Sequence, residues 1–301
     1  MKTQTLPDRT AAPSPSTPSP PILISLSSFG AAEVLRHGQL WFTRLSAQAG
    51  ADGVEVRGEL LRARHAPALA DAPTTQRATA GDKFDNSLGD ELGNELDAIA
   101  EAARSAGLQL VYSSPDGLWT TSGELDLAAL ERAIGIAQHL GAPRLKMAIG
   151  GYGAASAAGL ATLRDRLAKS SVELVIENDQ TTSAGTLPAL QAFFDNASQV
   201  GLSLGMTFDM GNWHWQGECP VLAAQSCSPR VSYVHCKGVQ RQPQRWVAVP
   251  LDDSAAPWRA VLRALPAGLP MAIEYPLAGD DLLAVTRGRV EQLRGLARRA
   301  A

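Results

Sequence analysis

Four side chains that could bind a metal ion end four successive apolar segments in the second half of the chain. They are Glu177, Asp209, His235 and Glu274, and each is separated from the next by about the length of one strand-and-helix unit. Any one of them alone is explained as a solvated charge at a strand end, but four in succession favour a common site. Held close together, they need a compensating charge, because like charges raise one another's pKa and buried charges must be paired. A divalent cation is the simplest compensation.

The donor set narrows the metal and its chemistry. Oxygen donors with one nitrogen and no thiolate suit Mn²⁺, Mg²⁺, Fe²⁺ and Co²⁺, and Zn²⁺ accepts the same ligands. We expect one bound divalent ion, with Mn²⁺ as the first choice. Such an ion polarises a substrate carbonyl or hydroxyl and stabilises the enediolate formed when a neighbouring C–H proton is removed. Glu177 and Glu274 would face each other across it, so that one carboxylate removes a proton and the other returns a proton to the opposite face.

The elements that must position these residues alternate along the chain between short β-branched or apolar segments and longer segments with helical periodicity. Eight strand candidates can be counted, and no hairpin turn is expected between them. They are ILISL from Ile22, GVEVR from Gly53, LQLVY from Leu108, RLKMA from Arg144, VELVIE from Val172, SLGMTFD from Ser203, VSYVHC from Val231 and MAIE from Met271. Alternating β and α units predict a parallel sheet, and eight units favour a single-domain α/β fold, the (β/α)8 TIM barrel, with an open doubly wound sheet as the alternative.

A barrel would bring the four side chains together. Active sites of such barrels lie at the carboxyl ends of the strands. Side chains alternate between the two faces of a strand, so each of the four shares a face with the residue two positions before it, as Val175 does with Glu177 and Tyr233 with His235. If that face lines the barrel interior, the three carboxylates and the imidazole converge at one end of it.

Two segments do not fit the repeating pattern. The first 21 residues contain 13 Ser, Thr or Pro and too few large apolar side chains to offset the entropy of ordering, so we predict a disordered tail over residues 1–21. The remainder, residues 22–301, is predicted to be one barrel domain. Residues 62–89, after the second strand, are rich in Ala, Asp, Thr and Gly. They predict a long surface loop, with an active-site lid as the alternative.

Composition and charge argue against several classes of protein. The chain has 301 residues, 45% of them hydrophobic, and a formal net charge of −3, which predicts a globular protein and argues against a nucleic-acid partner. No stretch approaches 18 consecutive apolar residues, so no membrane span is expected. Three cysteines without a C-x-x-C pair argue against a disulfide framework or structural zinc site and favour a cytoplasmic location. The sequence leaves open whether the protein forms a homodimer.

A second group of polar and aromatic residues is a candidate for substrate binding. Lys237 follows His235 by two positions on the same face of its strand and is the best placed of them. For the charges on the second and fourth strands, ion pairs within the group are the alternative. Arginines in loops are usually only solvated, and tryptophans at a barrel mouth often only cover it. The candidates are Lys237, Arg57, Glu55, Lys146, Trp215 and Arg245.

These motifs resemble a known family. From about Ile22 to its C-terminus, the chain is similar to the xylose-isomerase-like barrels of the sugar (phosphate) isomerase/epimerase superfamily. The resemblance implies that the Glu, Asp, His, Glu quartet binds a divalent metal and that Glu177 and Glu274 act as acid and base. Within the superfamily, the chain most resembles an epimerase group encoded with 2-ketogluconate utilisation genes in bacteria, through ISLSSFGA, GVEVRGEL, YSSPDGLW, VIENDQT, MTFDMGNWHWQ, YVHCKGV, VAVP and AIEYPLAGDDLL.

The resemblance also identifies ligands that this chain lacks. Related DNA-repair endonucleases carry D-x-x-H on strand six and D-x-H after strand seven. This chain instead has Asn212 three residues after Asp209, and neither Asp nor His between Gln240 and Pro250. We therefore expect a single metal ion and no DNA cleavage. The predicted function is a metal-dependent isomerase or epimerase of a small keto-sugar, sugar acid or sugar phosphate. A sugar-acid dehydratase using the same site and a non-catalytic sugar-acid-binding barrel are the alternatives.

Overall fold

The computed structural model describes residues 19–62 and 89–300. The predicted tail over residues 1–21 and the predicted loop over residues 62–89 therefore lie outside the described residues, apart from their ends. Among the helices of the described part, none combines the length and the apolar character needed to cross a membrane.

Eight of the strands form a closed parallel barrel. Around the barrel, the strands follow the order β1-β10-β7-β6-β5-β4-β3-β2, and every neighbouring pair is parallel. This confirms the predicted TIM barrel and excludes the open sheet. The strands of the described part are β1 (Ile22–Ser25), β2 (Gly53–Arg57), β3 (Gln109–Trp119), β4 (Arg144–Gly150), β5 (Glu173–Glu177), β6 (Gly205–Asp209), β7 (Val231–Cys236), β8 (Gly238–Arg241), β9 (Trp246–Val249) and β10 (Met271–Ile273).

Helices connect the barrel strands, and their ends follow local sequence signals. The Asp126 side chain accepts a hydrogen bond from the backbone N–H of Ala129 at the start of α4. Gly107 and Gly141 adopt the left-handed conformation at the ends of α3 and α4, a conformation that glycine reaches without steric cost. The helices are α1 (Ala31–His37), α2 (Gln39–Gln48), α3 (Asp90–Ala106), α4 (Leu127–Leu140), α5 (Gly159–Leu167), α6 (Leu187–Gln199), α7 (Pro220–Cys227), α8 (Trp258–Ala264) and α9 (Leu282–Ala300).

A hairpin between the seventh and eighth barrel strands contradicts the prediction that no hairpin occurs. β8 and β9 pair antiparallel, from Gly238 opposite Val249 to Arg241 opposite Trp246, and form a separate two-stranded sheet. The hairpin begins directly after Lys237, at the carboxyl end of β7. It therefore lies beside the end of the barrel where the candidate site is expected.

The two faces of the barrel sheet are buried in different ways. On the outside, the strands pack against the helices in the main hydrophobic core. A smaller buried cluster is formed by Leu23, Val111, Tyr233 and Ala272. These residues share the inward face of their strands, and two positions beyond Tyr233 the same face carries His235. The cluster thus fills the barrel below a polar layer at the carboxyl ends of the strands.

Gly150, at the end of β4, is required by the close approach of β3. Its φ is +65°, and a Cβ atom there would lie 2.4 Å from the backbone oxygen of Trp119. We expect Gly150→Ala to lower the free energy of unfolding by about 2–4 kcal/mol, because both the conformation and the contact oppose a side chain. Urea denaturation measures this change.

Gly135→Ala is the matched control. Gly135 is exposed in the interior of α4, and nothing lies within 4 Å of a Cβ atom at that position. We expect this substitution to raise the free energy of unfolding by about 0.5–1 kcal/mol, because Ala favours the helix. A Gly150→Ala protein as stable as the wild type would contradict the assigned role of Gly150.

Candidate metal centre

Four side chains from neighbouring barrel strands converge at the carboxyl end of the barrel. Glu177 and Asp209 are the last residues of β5 and β6, His235 lies in β7, and Glu274 directly follows β10. Each contributes one donor atom, and these atoms all lie within 4.8 Å of one another. Asp209 and His235 are fully buried, and Glu274 is nearly so. The four residues could hold a metal ion.

One imidazole nitrogen faces three carboxylate oxygens. His235 Nδ1 lies 2.7 Å from Glu274 Oε2, 2.9 Å from Glu177 Oε1 and 3.9 Å from Asp209 Oδ2. A single N–H cannot satisfy three carboxylates, whereas a divalent cation can bind all of them together with the nitrogen. The donor set therefore fits such a cation. Burial alone would lower the pKa of His235, but the carboxylates of Glu274 and Glu55 hold it well above its ordinary value.

The other nitrogen of His235 is held by Glu55. His235 Nε2 lies 2.8 Å from Glu55 Oε2, and both side chains are fully buried. Glu55 comes from β2, on the other side of the barrel. A carboxylate that accepts the Nε2 proton fixes the ring and leaves Nδ1 directed at the candidate ligands. Glu55 is thus placed to orient a histidine that could bind a metal ion.

Cations bind both glutamates of the quartet, and Glu274 is contacted on both oxygens, because Lys237 Nζ also lies 3.0 Å from its Oε2. Lys146 Nζ lies 2.6 Å from Glu177 Oε2, and Arg57 Nη1 lies 2.8 Å from Glu274 Oε1. The second oxygen of each carboxylate is the one near His235. Burial raises the pKa of both carboxyl groups, but Lys146 and His235 together lower the pKa of Glu177, and His235 and Lys237 together lower that of Glu274. Both groups are therefore ionised.

Backbone and amide contacts fix Asp209. Its Oδ1 accepts hydrogen bonds from the backbone N–H groups of Gly211 at 2.7 Å and Asn212 at 2.8 Å. Its Oδ2 lies 2.7 Å from Lys237 Nζ. Burial raises the pKa of Asp209 to about 7, although the ammonium of Lys237 opposes this. Burial thus disfavours the ionised form of Asp209, and a bound cation would favour it.

The predicted substrate-binding residues fall into two groups. The charged residues on the barrel strands join the quartet: besides the contacts above, Glu55 Oε1 lies 3.1 Å from Arg57 Nη1 and 3.3 Å from Lys146 Nζ. These are the ion pairs that the sequence left as an alternative. Trp215 and Arg245 lie outside this network of contacts. Trp215 is half-buried in the short 3-10 helix Asn212–Gln216, and Arg245 is exposed in the turn between β8 and β9.

Two asparagines contribute to the site without having been singled out as ligands or binders. Asn178 is fully buried, donates to the backbone oxygen of Asp209 at 3.0 Å, and accepts from its backbone N–H at 2.9 Å. Asn212 accepts a hydrogen bond from Lys237 Nζ at 3.0 Å. The one sequence signal for Asn178 is its position directly after Glu177. Asn178 thus holds the backbone of Asp209 in place, and Asn212 holds the ammonium group of Lys237.

A pocket of about 240 Å³ opens beside the quartet. It lies between the segments that follow β1 and β10 and the hairpin. Its lining includes Ser27, Ser28, Lys237, Ala248, Glu274 and Tyr275. The pocket gives a small molecule access to one of the two glutamates and to one buried ammonium group.

Solved structures with the same fold cover almost the whole chain. A xylose isomerase domain protein from Planctomyces limnophilus is 17% identical, with 94% of this chain and 98% of that chain covered and a TM-score of 0.61. The structure of L-ribulose 3-epimerase is 17% identical, with coverages of 93% and 95% and a TM-score of 0.59. The probable 3-DHS dehydratase involved in petrobactin synthesis from Bacillus anthracis is 14% identical, with coverages of 91% and 98% and a TM-score of 0.61. At these identities, the likeness shows the fold alone.

Sequence comparison reaches further at the level of the family. No functionally curated protein matches the chain. A family model described as xylose isomerase-like TIM barrel matches residues 43–294, which include all four residues of the quartet. The match spans most of the chain and agrees with the closed eight-stranded barrel. The chain therefore belongs to the xylose isomerase-like TIM-barrel family.

Proposed function

We propose that the protein is a divalent-metal-dependent sugar isomerase or epimerase that acts on a small keto-sugar, sugar acid or sugar phosphate. The observation that carries this proposal is the paired arrangement of Glu177 and Glu274. Each has one oxygen bound by Lys146 or Arg57 and the other within 3 Å of His235 Nδ1. At Glu274, this second oxygen also lies 3.0 Å from Lys237 Nζ. Two ionised carboxylates around one point suit the removal and return of a proton at a substrate carbon.

A divalent ion bound by the quartet, with Mn²⁺ as our first choice, would polarise a substrate carbonyl and so make the neighbouring C–H bond more acidic. The chain's own residues supply the rest. Glu177 or Glu274 accepts the proton on one oxygen, and the other glutamate serves the opposite face of the substrate carbon. Inversion at that carbon gives an epimer, and return of the proton to the neighbouring carbon gives an isomer.

Lys146 assists by lowering the pKa of both carboxyl groups, and Arg57 assists by binding one oxygen of Glu274. Lys146 contacts Glu177, Arg57 contacts Glu274, and both cations also contact Glu55. Glu55 in turn holds His235 Nε2. A base must be unprotonated to accept a proton, so cations that lower the pKa of each glutamate keep it ready for the first step.

Deuterium exchange tests the proposed proton transfer. Mn²⁺-loaded protein is incubated in D₂O with a panel of keto-sugars, sugar acids including 2-ketogluconate, and sugar phosphates. We expect at least one compound to gain deuterium at a carbon next to its carbonyl, detected by proton NMR and mass spectrometry. Metal-free protein serves as the control and should leave every compound unlabelled.

Deuterium exchange, thermal stability and product analysis with the same compounds together separate the candidate functions. If no compound of the panel exchanges, the proton-transfer function is contradicted. If a compound instead stabilises the protein against heat without turnover, the barrel is a sugar-binding protein. If exchange is accompanied by loss of water, the protein is a dehydratase.

The dehydratase is the second candidate. Its first step is the same proton removal, after which a hydroxyl group leaves from the neighbouring carbon. Lys146 Nζ, 2.6 Å from Glu177 Oε2, supplies a buried ammonium near the proton acceptor. The structural likeness to the probable 3-DHS dehydratase supports testing this candidate. Product analysis by mass spectrometry distinguishes an isomer from a dehydrated product.

A further inference from the structure

Lys237 differs from the other buried cations of the metal centre in the carboxylates that it contacts. Its Nζ lies 2.7 Å from Asp209 Oδ2 and 3.0 Å from Glu274 Oε2. Both of these residues belong to the quartet that could hold a metal ion. Within the described residues, both carboxylates that contact Lys237 thus belong to candidate metal ligands.

The other two cations keep a partner outside the quartet. Arg57 Nη1 lies 3.1 Å from Glu55 Oε1, and Lys146 Nζ lies 3.3 Å from the same oxygen. Glu55 faces the distal nitrogen of His235 and is not one of the four candidate ligands. A metal ion in the quartet would thus leave Arg57 and Lys146 paired and would take the carboxylates from Lys237.

Lys237 and a divalent ion compete for the same oxygen of Asp209. Asp209 Oδ1 already accepts two backbone N–H groups, so Oδ2 is the oxygen left to face the centre. Two cations on one carboxylate oxygen repel each other, and the repulsion is strong in a buried site. In the metal-loaded protein, the ammonium of Lys237 therefore needs another anion.

The pocket beside Lys237 is the place where such an anion can bind. Lys237 lines the pocket of about 240 Å³ together with Ser27 and Ala248. On another side its stem packs on Gly211, where a Cβ atom would lie 2.8 Å from Lys237 Cγ and Cδ. The side chain has no space on that side, and the pocket is where a small anion can reach it.

We propose that Lys237 of the metal-loaded protein binds a carboxylate of the substrate, and that the substrate is accordingly a sugar acid. This inference rests on the proposed function and narrows its substrate class. Lys237 Nζ lies 3.0 Å from Glu274 Oε2, the oxygen directed at the quartet. A carboxylate at Lys237 therefore lies within a few bonds of the reacting carbon. A phosphate at the far end of a sugar chain would not.

A pair of ligands that differ at one carbon tests the proposal. D-gluconate carries a carboxylate where D-glucitol carries an alcohol. In calorimetric titrations of the Mn²⁺-loaded wild type, we expect gluconate to bind at least about tenfold more tightly, the effect of one charge-assisted hydrogen bond. Lys237→Met, with Lys237→Gln as a second variant, should lose this preference. Both variants should bind Mn²⁺ as tightly as the wild type or more tightly, because the competing ammonium is gone.

Arg263→Met is the matched control, since it removes a positive charge from an exposed position of α8 near the other end of the barrel. It should keep both the preference and the metal affinity. Equal affinities for the two ligands in the wild type, or a preference that survives in both Lys237 variants, would overturn the proposal. The proposal would also be overturned if D-glucitol 6-phosphate bound more tightly than D-glucitol by the same factor as D-gluconate and lost this advantage in the Lys237 variants. That result would assign Lys237 to a phosphate. A wild type that binds no Mn²⁺ would instead overturn the proposed function, and this inference with it.

Discussion

Replacing Asp209 by Ala should remove the divalent metal from the protein. We expect the affinity for Mn²⁺ to fall by at least about 100-fold, because loss of a ligand should cost no less than loss of the groups that orient it. Asp209 is fully buried at the end of β6, and its Oδ2 lies 3.9 Å from His235 Nδ1. Elemental analysis after dialysis against Mn²⁺, together with calorimetric titration, measures the change.

Asp209→Asn controls for damage to the surrounding loop. The asparagine keeps an oxygen that can accept from the backbone N–H groups of Gly211 and Asn212, which bind Asp209 Oδ1 in the wild type. We expect this variant to keep its circular dichroism spectrum while losing most of its metal affinity. Mn²⁺ at about 100 times its dissociation constant should stabilise the wild type by roughly 2.7 kcal/mol and neither variant by a comparable amount. Unchanged metal content in Asp209→Ala would refute the assignment of the quartet.

The barrel could be predicted because its signals are local. Most of the barrel strands are short apolar segments, although β3 continues through residues 113–117, SSPDG, to Trp119. The helices α3 and α4 end at glycines in the left-handed conformation. The hairpin of β8 and β9 gives no comparable signal. Its β9 residues are half-buried, and the turn between the strands contains Pro243 and no glycine, whereas the common two-residue hairpin turns are built on glycine or asparagine.

The quartet could be predicted for a similar reason, whereas the contact that Glu55 makes with His235 could not. Each of its members ends or follows an apolar strand, so a parallel barrel alone brings the four together. The contact between Glu55 and His235 joins residues 180 positions apart. No spacing encodes it, because it depends on which strands face each other once the barrel closes. Residue type and loop position alone make Trp215 and Arg245 candidates, and their binding role stays a prediction.

Replacing either glutamate of the proposed acid–base pair by Gln should severely slow the interconversion of the two epimers. Proton exchange with solvent should persist in one of the two epimers. Gln keeps a carbonyl oxygen for the metal but cannot accept a proton. We expect Glu177→Gln and Glu274→Gln each to lower kcat by about 10²–10⁴-fold. Each carboxylate serves one face of the substrate carbon, so each variant should still exchange the proton of the one epimer that faces the remaining glutamate.

The two variants should therefore show complementary labelling in D₂O. With the pair of epimers that the wild type interconverts, Glu274→Gln should label one epimer and Glu177→Gln the other, and proton NMR should detect no conversion between them. Metal analysis of both variants controls for lost Mn²⁺. The geometry supports a two-base arrangement, because Lys146 holds one oxygen of Glu177 and Arg57 one oxygen of Glu274, while the remaining oxygens lie 2.9 Å and 2.7 Å from His235 Nδ1. The remaining oxygen of Glu274 also contacts Lys237 at 3.0 Å. If both metal-loaded variants label the same epimer, a group other than the two glutamates removes its proton, and the two-glutamate mechanism is wrong.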